Sequence, residues 1–200
     1  VCDIAMDSGT FLYSRSLGQD AETTSQVVSA IVNLMSQNHI GSVLKHFPGY
    51  GNNADTHKGI AQDSRSLAEL EGKDLLPFAA GIQAGCGAVM VGHVIVEAMD
   101  DSLPASLSPA VHEYLRDTMG FTGVIMTDDL VMQAITDQYG AGEAAVMAVL
   151  AGNDLLCSTE YATQYQAVLQ AVLDGRISVD TLNAAVRHVL VWKQQVASYG

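Results

Sequence analysis

The chain reads as an α/β protein of the barrel type, and three observations say so. Strand-like and helix-like segments alternate along its length. The strand-like runs at 42–47, 88–93 and 123–128 are apolar without polar alternation, as expected of a parallel sheet covered on both faces. Two of these runs end abruptly in ionisable side chains. One is Lys45-His46-Phe47-Pro48-Gly49-Tyr50-Gly51, which leads on to Asp55-Thr56-His57; the other is Val124-Ile125-Met126-Thr127-Asp128-Asp129-Leu130. An α/β barrel presents its chemistry in this way, at the carboxyl ends of parallel strands and on the loops that follow.

The elements follow in order. Residues 1–6 form a strand that runs into a Ser- and Gly-rich loop at 7–18. A helix is expected over 20–38, because Val27, Ile31, Leu34 and Met35 recur at helical spacing, with Gly41 placed to stop it. The strand 42–47 precedes a long loop at 48–66, and 67–84 is helical with Leu75, Leu76, Phe78, Ala79 and Ile82 on its apolar face. After the strand 88–93 comes a second loop at 97–107. Ser108-Pro109 then supplies a cap and a first-turn proline for a helix that ends before Gly120. The strand 123–128 is followed by an Ala-rich helix at 142–151, stopped by Gly152, and by a fifth strand at 154–157. Helices over 161–174 and 179–196 close the chain, the last capped by Ser178. Five strands are visible, whereas a closed barrel needs eight.

Two hundred residues suffice for one domain with a substantial core. A hydrophobic content of 48 % against 16 % charged residues fits a globular chain rather than a disordered one. The net charge of −13 and the scatter of nine basic residues argue against a nucleic-acid partner, which requires clustered Lys and Arg. No apolar run approaches the roughly 18 residues of a membrane span. Cys2, Cys86 and Cys157 have no metal-like spacing and are expected to be buried free thiols. The start at Val1, with no initiator Met and no signal peptide, reads as truncated or processed.

Taken together, the KHFPGYG strand end, the DTH loop and the TDDL strand end resemble the N-terminal barrel domain of family 3 glycoside hydrolases, in particular the N-acetylglucosaminidase branch. The likeness extends from Val1 to the last helix. It implies a TIM-type (β/α)8 barrel and a retaining exo-β-N-acetylglucosaminidase acting on cell-wall or chitin-type oligosaccharides. In that family, earlier chain supplies the first strands and a DQEGG-type strand end. Neither is found here, so the expectation is a single domain over 1–200 that lacks its N-terminal strands, with no second domain.

The resemblance also assigns roles. Asp128 is the expected nucleophile, since a retaining glycosidase needs an ionised carboxylate to attack the anomeric carbon. Neighbouring strand residues point to opposite sides, so Asp129 faces away and serves as a cap. Asp55 and His57 form the expected acid/base dyad: histidine titrates near neutral pH, and a carboxylate beside it fixes its tautomer. Lys45, His46 and Arg15, the last in Ser14-Arg15-Ser16-Leu17-Gly18, are expected to bind sugar hydroxyls. His93 either supports the dyad or packs. Asp63, Arg65, Asp100 and Asp101 read as solvated loop charges.

No cofactor or metal is expected, and the partner is a carbohydrate. The alternatives are a β-N-acetylglucosaminide phosphorylase, a β-glucosidase of the same family, a metal-dependent barrel hydrolase using His46, His57, His93 and Asp128, and an incomplete barrel that is inert. Glucosidases of the family usually lack the D-x-H loop and place their acid/base in a second domain, so Asp55-Thr56-His57 counts against that reading. The metal reading lacks an H-x-H pattern on one strand.

Overall fold

A computed structural model of the chain describes residues 1–51 and 59–197. Among these, the chain forms strands β1 (Val43–Phe47), β2 (Ala61–Asp63), β3 (Ala88–Val91), β4 (Val94–Val96) and β5 (Val124–Thr127). The helices are α1 (Ala21–Gln37), α2 (Leu67–Glu69), α3 (Leu76–Gln83), α4 (Pro109–Glu113), α5 (Gln133–Tyr139), α6 (Ala141–Ala151), α7 (Tyr161–Leu173) and α8 (Val179–Ala197).

The three apolar runs pair as a parallel sheet in the order β1-β3-β5, with Ala88 opposite both Val43 and Val124. Parallel neighbours need a crossover, and the intervening helices supply it. On one flank, the Cys2 amide donates to the Lys45 carbonyl at 2.6 Å and brings the first residues beside β1. On the other, Met126 and Leu155 form a parallel bridge, and the Thr127 amide donates to the Leu155 carbonyl at 3.2 Å. Three of the five expected strands form; residues 1–6 lie beside β1 through the Cys2 bond without forming a strand, and 154–157 contributes only the bridge at Leu155. A closed eight-stranded barrel is not formed by the described residues. The open flanks leave Val1 and Met6 exposed.

A second parallel pair, β2 with β4, lies in segments that carry no strand signal in the sequence. Each strand has only three residues, too few for a periodic signal. The helix ends follow local chemistry. Asp20 accepts from the Thr23 amide at 2.8 Å to start α1, and Ser66 and Glu69 form a reciprocal capping box at α2. The helix expected over 67–84 is interrupted by a wide turn, Leu70–Asp74, with the Leu75 amide bonded to the Leu70 carbonyl at 2.9 Å. A similar turn, Tyr114–Thr118, extends α4. Gly152 stops α6 at φ 111°, as expected. At the end of α1 it is His39 (φ 59°), rather than Gly41, that takes the left-handed turn.

The core lies between the sheet and its helices. Phe47 meets Phe78 edge-to-face at 5.3 Å, surrounded by Leu44, Leu70, Val89, Val91 and Ile125. Helix α5, for which the sequence carries no clear signal, buries Ala134 and Ile135, the latter in a second cluster with Leu107, Leu130 and α6. Cys2 and Cys86 are buried and free, and burial pushes the Cys2 thiol up to about 12. Cys157 is only half-buried.

Two loop readings are corrected. Asp63 and Asp74 are about 2 % and 1 % exposed, and Arg65 bridges them. Its Nε lies 2.9 Å from Asp63 Oδ1, and its Nη1 2.6 Å from Asp74. Charges this deep need a partner, and here the partner arrives from across a turn. Asp100 is a half-buried anchor, accepting from the Ser102 and Leu103 amides and from the Ser102 and Ser108 hydroxyls. Asp101 is exposed, as expected.

Candidate active site

The ends of β1, β3 and β5 converge on one cluster. Asp128 directly follows β5. Its amide donates to the Val91 carbonyl at 3.0 Å, and its Oδ1 accepts from the Asp129 amide at 2.8 Å. These bonds aim Oδ2 towards His46 Nε2, 3.8 Å away. Asp128 remains partly open to solvent, while His46 is buried. Asp129 faces another way, its Oδ1 bracing the Val131 and Thr159 amides at 3.1 and 3.3 Å. It therefore braces a loop rather than capping the following helix, whose cap position is Met132.

His46 is held from behind by a residue the sequence reading passed over. Asp3, buried in the first apolar run, accepts from the His46 amide (3.0 Å), from His46 Nδ1 (2.8 Å) and from the Tyr50 amide (2.8 Å). The signal was available: a lone carboxylate in Val1-Cys2-Asp3-Ile4-Ala5 cannot stay buried without partners. The Tyr50 ring meets the imidazole edge-on at 5.7 Å.

His93 is fully buried. Nδ1 lies 2.7 Å from the Ser106 hydroxyl and Nε2 3.0 Å from the Asp129 carbonyl. Burial pushes its imidazole below the usual histidine range, more strongly than the nearby Asp129 carbonyl and the Asp128 and Asp129 charges pull it up. As a neutral ring it donates from Nε2 to the Asp129 carbonyl and accepts at Nδ1 from Ser106. It thus fixes the backbone of the turn that carries Asp128. With both nitrogens engaged, it is poorly placed as a metal ligand. Among the described residues, no group of His, Cys, Asp and Glu is arranged to hold a metal.

Lys45 sits half-buried in β1, and its charge is felt at the Cys157 thiol together with those of Asp128 and Asp129. Arg15 is exposed, its guanidinium 5.9 Å from the Phe11 ring, which in turn lies 5.9 Å from Tyr50. Two aromatic rings thus separate it from His46. The structure brings His46 and Asp128 together, with Lys45 next to His46 on β1, and leaves Arg15 at the margin. Asp55 and His57 lie outside the described residues.

Comparison with known proteins decides the family. Residues 1–191 match the glycosyl hydrolase family 3 N terminal domain. The chain belongs to that family. This family 3 chain is 40 % identical over 164 residues to a beta-hexosaminidase of Tolumonas auensis, covering 80 % of this chain and 48 % of that protein. It is 37 % identical over 191 residues to a beta-hexosaminidase of Stenotrophomonas maltophilia, covering 88 % of this chain and 56 % of that one. The chain thus spans about half the length of these curated relatives. Among solved structures, a family 3 beta-N-acetylglucosaminidase from Paenibacillus superposes with a TM-score of 0.93 at 36 % identity, over 100 % of this chain and 39 % of that one. A fungal multi-domain beta-N-acetylglucosaminidase gives 0.92 at 28 % identity, over 98 % and 24 %.

Proposed function

We propose that this family 3 chain carries the catalytic nucleophile of a retaining exo-β-N-acetylglucosaminidase that releases terminal β-linked GlcNAc from cell-wall or chitin-type oligosaccharides. The observation that carries the reading is Asp128. It is a carboxylate fixed at the end of a parallel strand, partly open to solvent, with one oxygen held by the Asp129 amide and the other facing His46. The names of the relatives supply the substrate class.

In this mechanism Asp128 attacks the anomeric carbon and the glycosidic bond breaks. The leaving oxygen takes a proton from the acid/base pair, for which His57 with Asp55 is proposed on sequence grounds. Water, deprotonated by the same pair, then hydrolyses the glycosyl–Asp128 ester. Lys45 and His46 bind sugar hydroxyls beside the reacting carbon, with Arg15 at the margin. The five strand positions are part of a (β/α)8 barrel in this proposal.

The test is hydrolysis of an aryl β-N-acetylglucosaminide beside the matching β-glucoside by the full-length protein and its Asp128→Asn variant. Release from the first substrate alone, reduced on the order of 10⁴-fold in the variant, is the expected result. Preferred cleavage of the glucoside overturns the substrate class, and an active Asp128→Asn protein overturns the nucleophile. Release that requires phosphate identifies the phosphorylase instead.

A further inference from the structure

We propose that Asp3 is a positioning residue for the reaction at Asp128, acting through His46 by fixing which ring nitrogen carries the proton. Its kinetic consequence rests on the function proposed above; its structural content does not.

Asp3 is buried, and its two oxygens receive three N–H groups: Oδ2 from the His46 amide and His46 Nδ1, Oδ1 from the Tyr50 amide. A carboxylate has only lone pairs to offer. The bond at 2.8 Å therefore requires Nδ1 to be the protonated nitrogen. The opposite tautomer would set the Nδ1 lone pair against the carboxylate. With Nδ1 committed, Nε2 is the nitrogen presented to the reacting side.

That nitrogen lies 3.8 Å from Asp128 Oδ2, too far for a direct hydrogen bond. The separation lets the two atoms bracket a bound hydroxyl rather than bond each other. A tautomer set from behind then decides whether the neutral ring meets that hydroxyl as an acceptor or as a donor. The two amide bonds hold the strand end that carries the ring, and Tyr50 closes its edge at an interplanar angle of 76°. Asp3 itself touches neither Asp128 nor open space. Its influence passes through one imidazole.

Asp3→Asn separates this role from a merely structural one. The amide keeps one oxygen. If that oxygen serves His46, the NH₂ opposes the Tyr50 amide, donor against donor. If it serves Tyr50, the NH₂ faces His46, and the ring proton moves to Nε2.

The experiment has two arms, both on the full-length protein. In the first, kcat and KM on the aryl β-N-acetylglucosaminide are compared for Asp3→Asn, His46→Ala and the double variant. The expected loss in kcat/KM for Asp3→Asn is on the order of 10- to 100-fold, the scale of removing a carboxylate that orients a histidine. The double variant should be no slower than His46→Ala alone. Losses that multiply would overturn the route through His46. In the second arm, ¹⁵N NMR of histidine-labelled protein, assigned with His46→Ala, should show the neutral His46 ring protonated at Nδ1. Protonation at Nε2 in the unsubstituted protein sinks the proposal outright. This arm needs neither substrate nor a folded Asp3→Asn protein. A full-length protein inactive on both glycosides but protonated at Nδ1 would defeat the hydrolase reading and leave the assignment of the ring proton standing.

Discussion

Two Asp–His pairs sit at opposite rims of one sheet, and the contrast between them separates a site from a fastening. At the carboxyl ends of the strands, Asp3 holds His46 at 2.8 Å, and the far ring nitrogen looks towards Asp128 across 3.8 Å. At the amino ends, Asp154 holds His188 at the same 2.8 Å, and both oxygens of Asp154 are engaged. The second oxygen of Asp154 takes Arg116 at 2.6 Å and the Ile125 amide at 2.8 Å, and Arg116 also donates to the Phe121 and Gly123 carbonyls. His188 and Trp192 belong to α8, which this rim ties down. The Asp128 side chain keeps 22 % of its surface open, against 5 % for Asp154. In the proposed function the same residue types serve chemistry at one rim and anchorage at the other, the division expected of parallel-strand folds. What distinguishes them is the carboxylate at the strand end: Asp128 stays partly open to solvent, whereas Asp154 is closed in by its partners.

The largest test of this contrast is Asp154→Asn. The substitution removes the negative charge that faces half-buried Arg116, at a cost of about 3 kcal/mol. Urea unfolding of the full-length protein should show that loss, while kcat/KM of the folded protein stays within about threefold of the parent. Asp128→Asn should do the reverse. If Asp154→Asn instead lowers kcat/KM by tenfold or more with stability intact, the two rims are not divided in this way.

How far the contrast could be read in the sequence depends on range. The strand ends at Lys45-His46 and Asp128 were legible because an apolar run ending in charge is a local pattern, and β1, β3 and β5 formed where expected. Helices α1, α6, α7 and α8 were legible for the same reason. Asp3 and Asp154 were not, because each is explained by a partner far along the chain, His46 for Asp3 and Arg116 and His188 for Asp154, while Asp74 pairs with Arg65 nine residues earlier on a different element. Arg65 looked like a solvated charge because its flanking residues are polar, whereas its burial comes from Asp74 on a different element. Strands β2 and β4 and helix α5 are too short to announce themselves by period. What was missed is long-range polar pairing.

A middle-sized test concerns the anchor of α8. Gly87 lies just before β3, and a Cβ there would collide with the Trp192 indole. Gly87→Ala should therefore push α8 off the rim and cost about 1–3 kcal/mol, the usual penalty for overpacking. KM for the glycoside should not move, because the disturbance is confined to the rim away from Asp128. A raised KM with an unchanged urea midpoint would show that the rims communicate.

The smallest effect is a pH dependence carried by His93, which lies on the Asp128 side. Burial holds its imidazole below the ordinary value near 6.5 in the folded chain, whereas the unfolded chain titrates at that ordinary value. As pH falls below about 6.5, the unfolded state takes up a proton that the folded state refuses. Stability is thus fully present above that pH and is lost as pH drops towards the lowered folded value. The slope is at most about 1.4 kcal/mol per pH unit. Its neighbours are named by the same geometry: Asp128, Asp129 and His46 act on it, and Ser106 and the Asp129 carbonyl hold its nitrogens. His112, also buried and lowered, adds a slope of the same sign elsewhere. His93→Gln retains a donor and an acceptor but removes the titrating group. Unfolding free energies measured between about pH 5 and 7 should show a flatter line for this variant than for the parent, the difference being the contribution of His93. Parallel lines would mean that His93 accepts its proton in the folded chain as readily as in the unfolded one. The imidazole would then be no fixed neutral strut under the turn that carries Asp128.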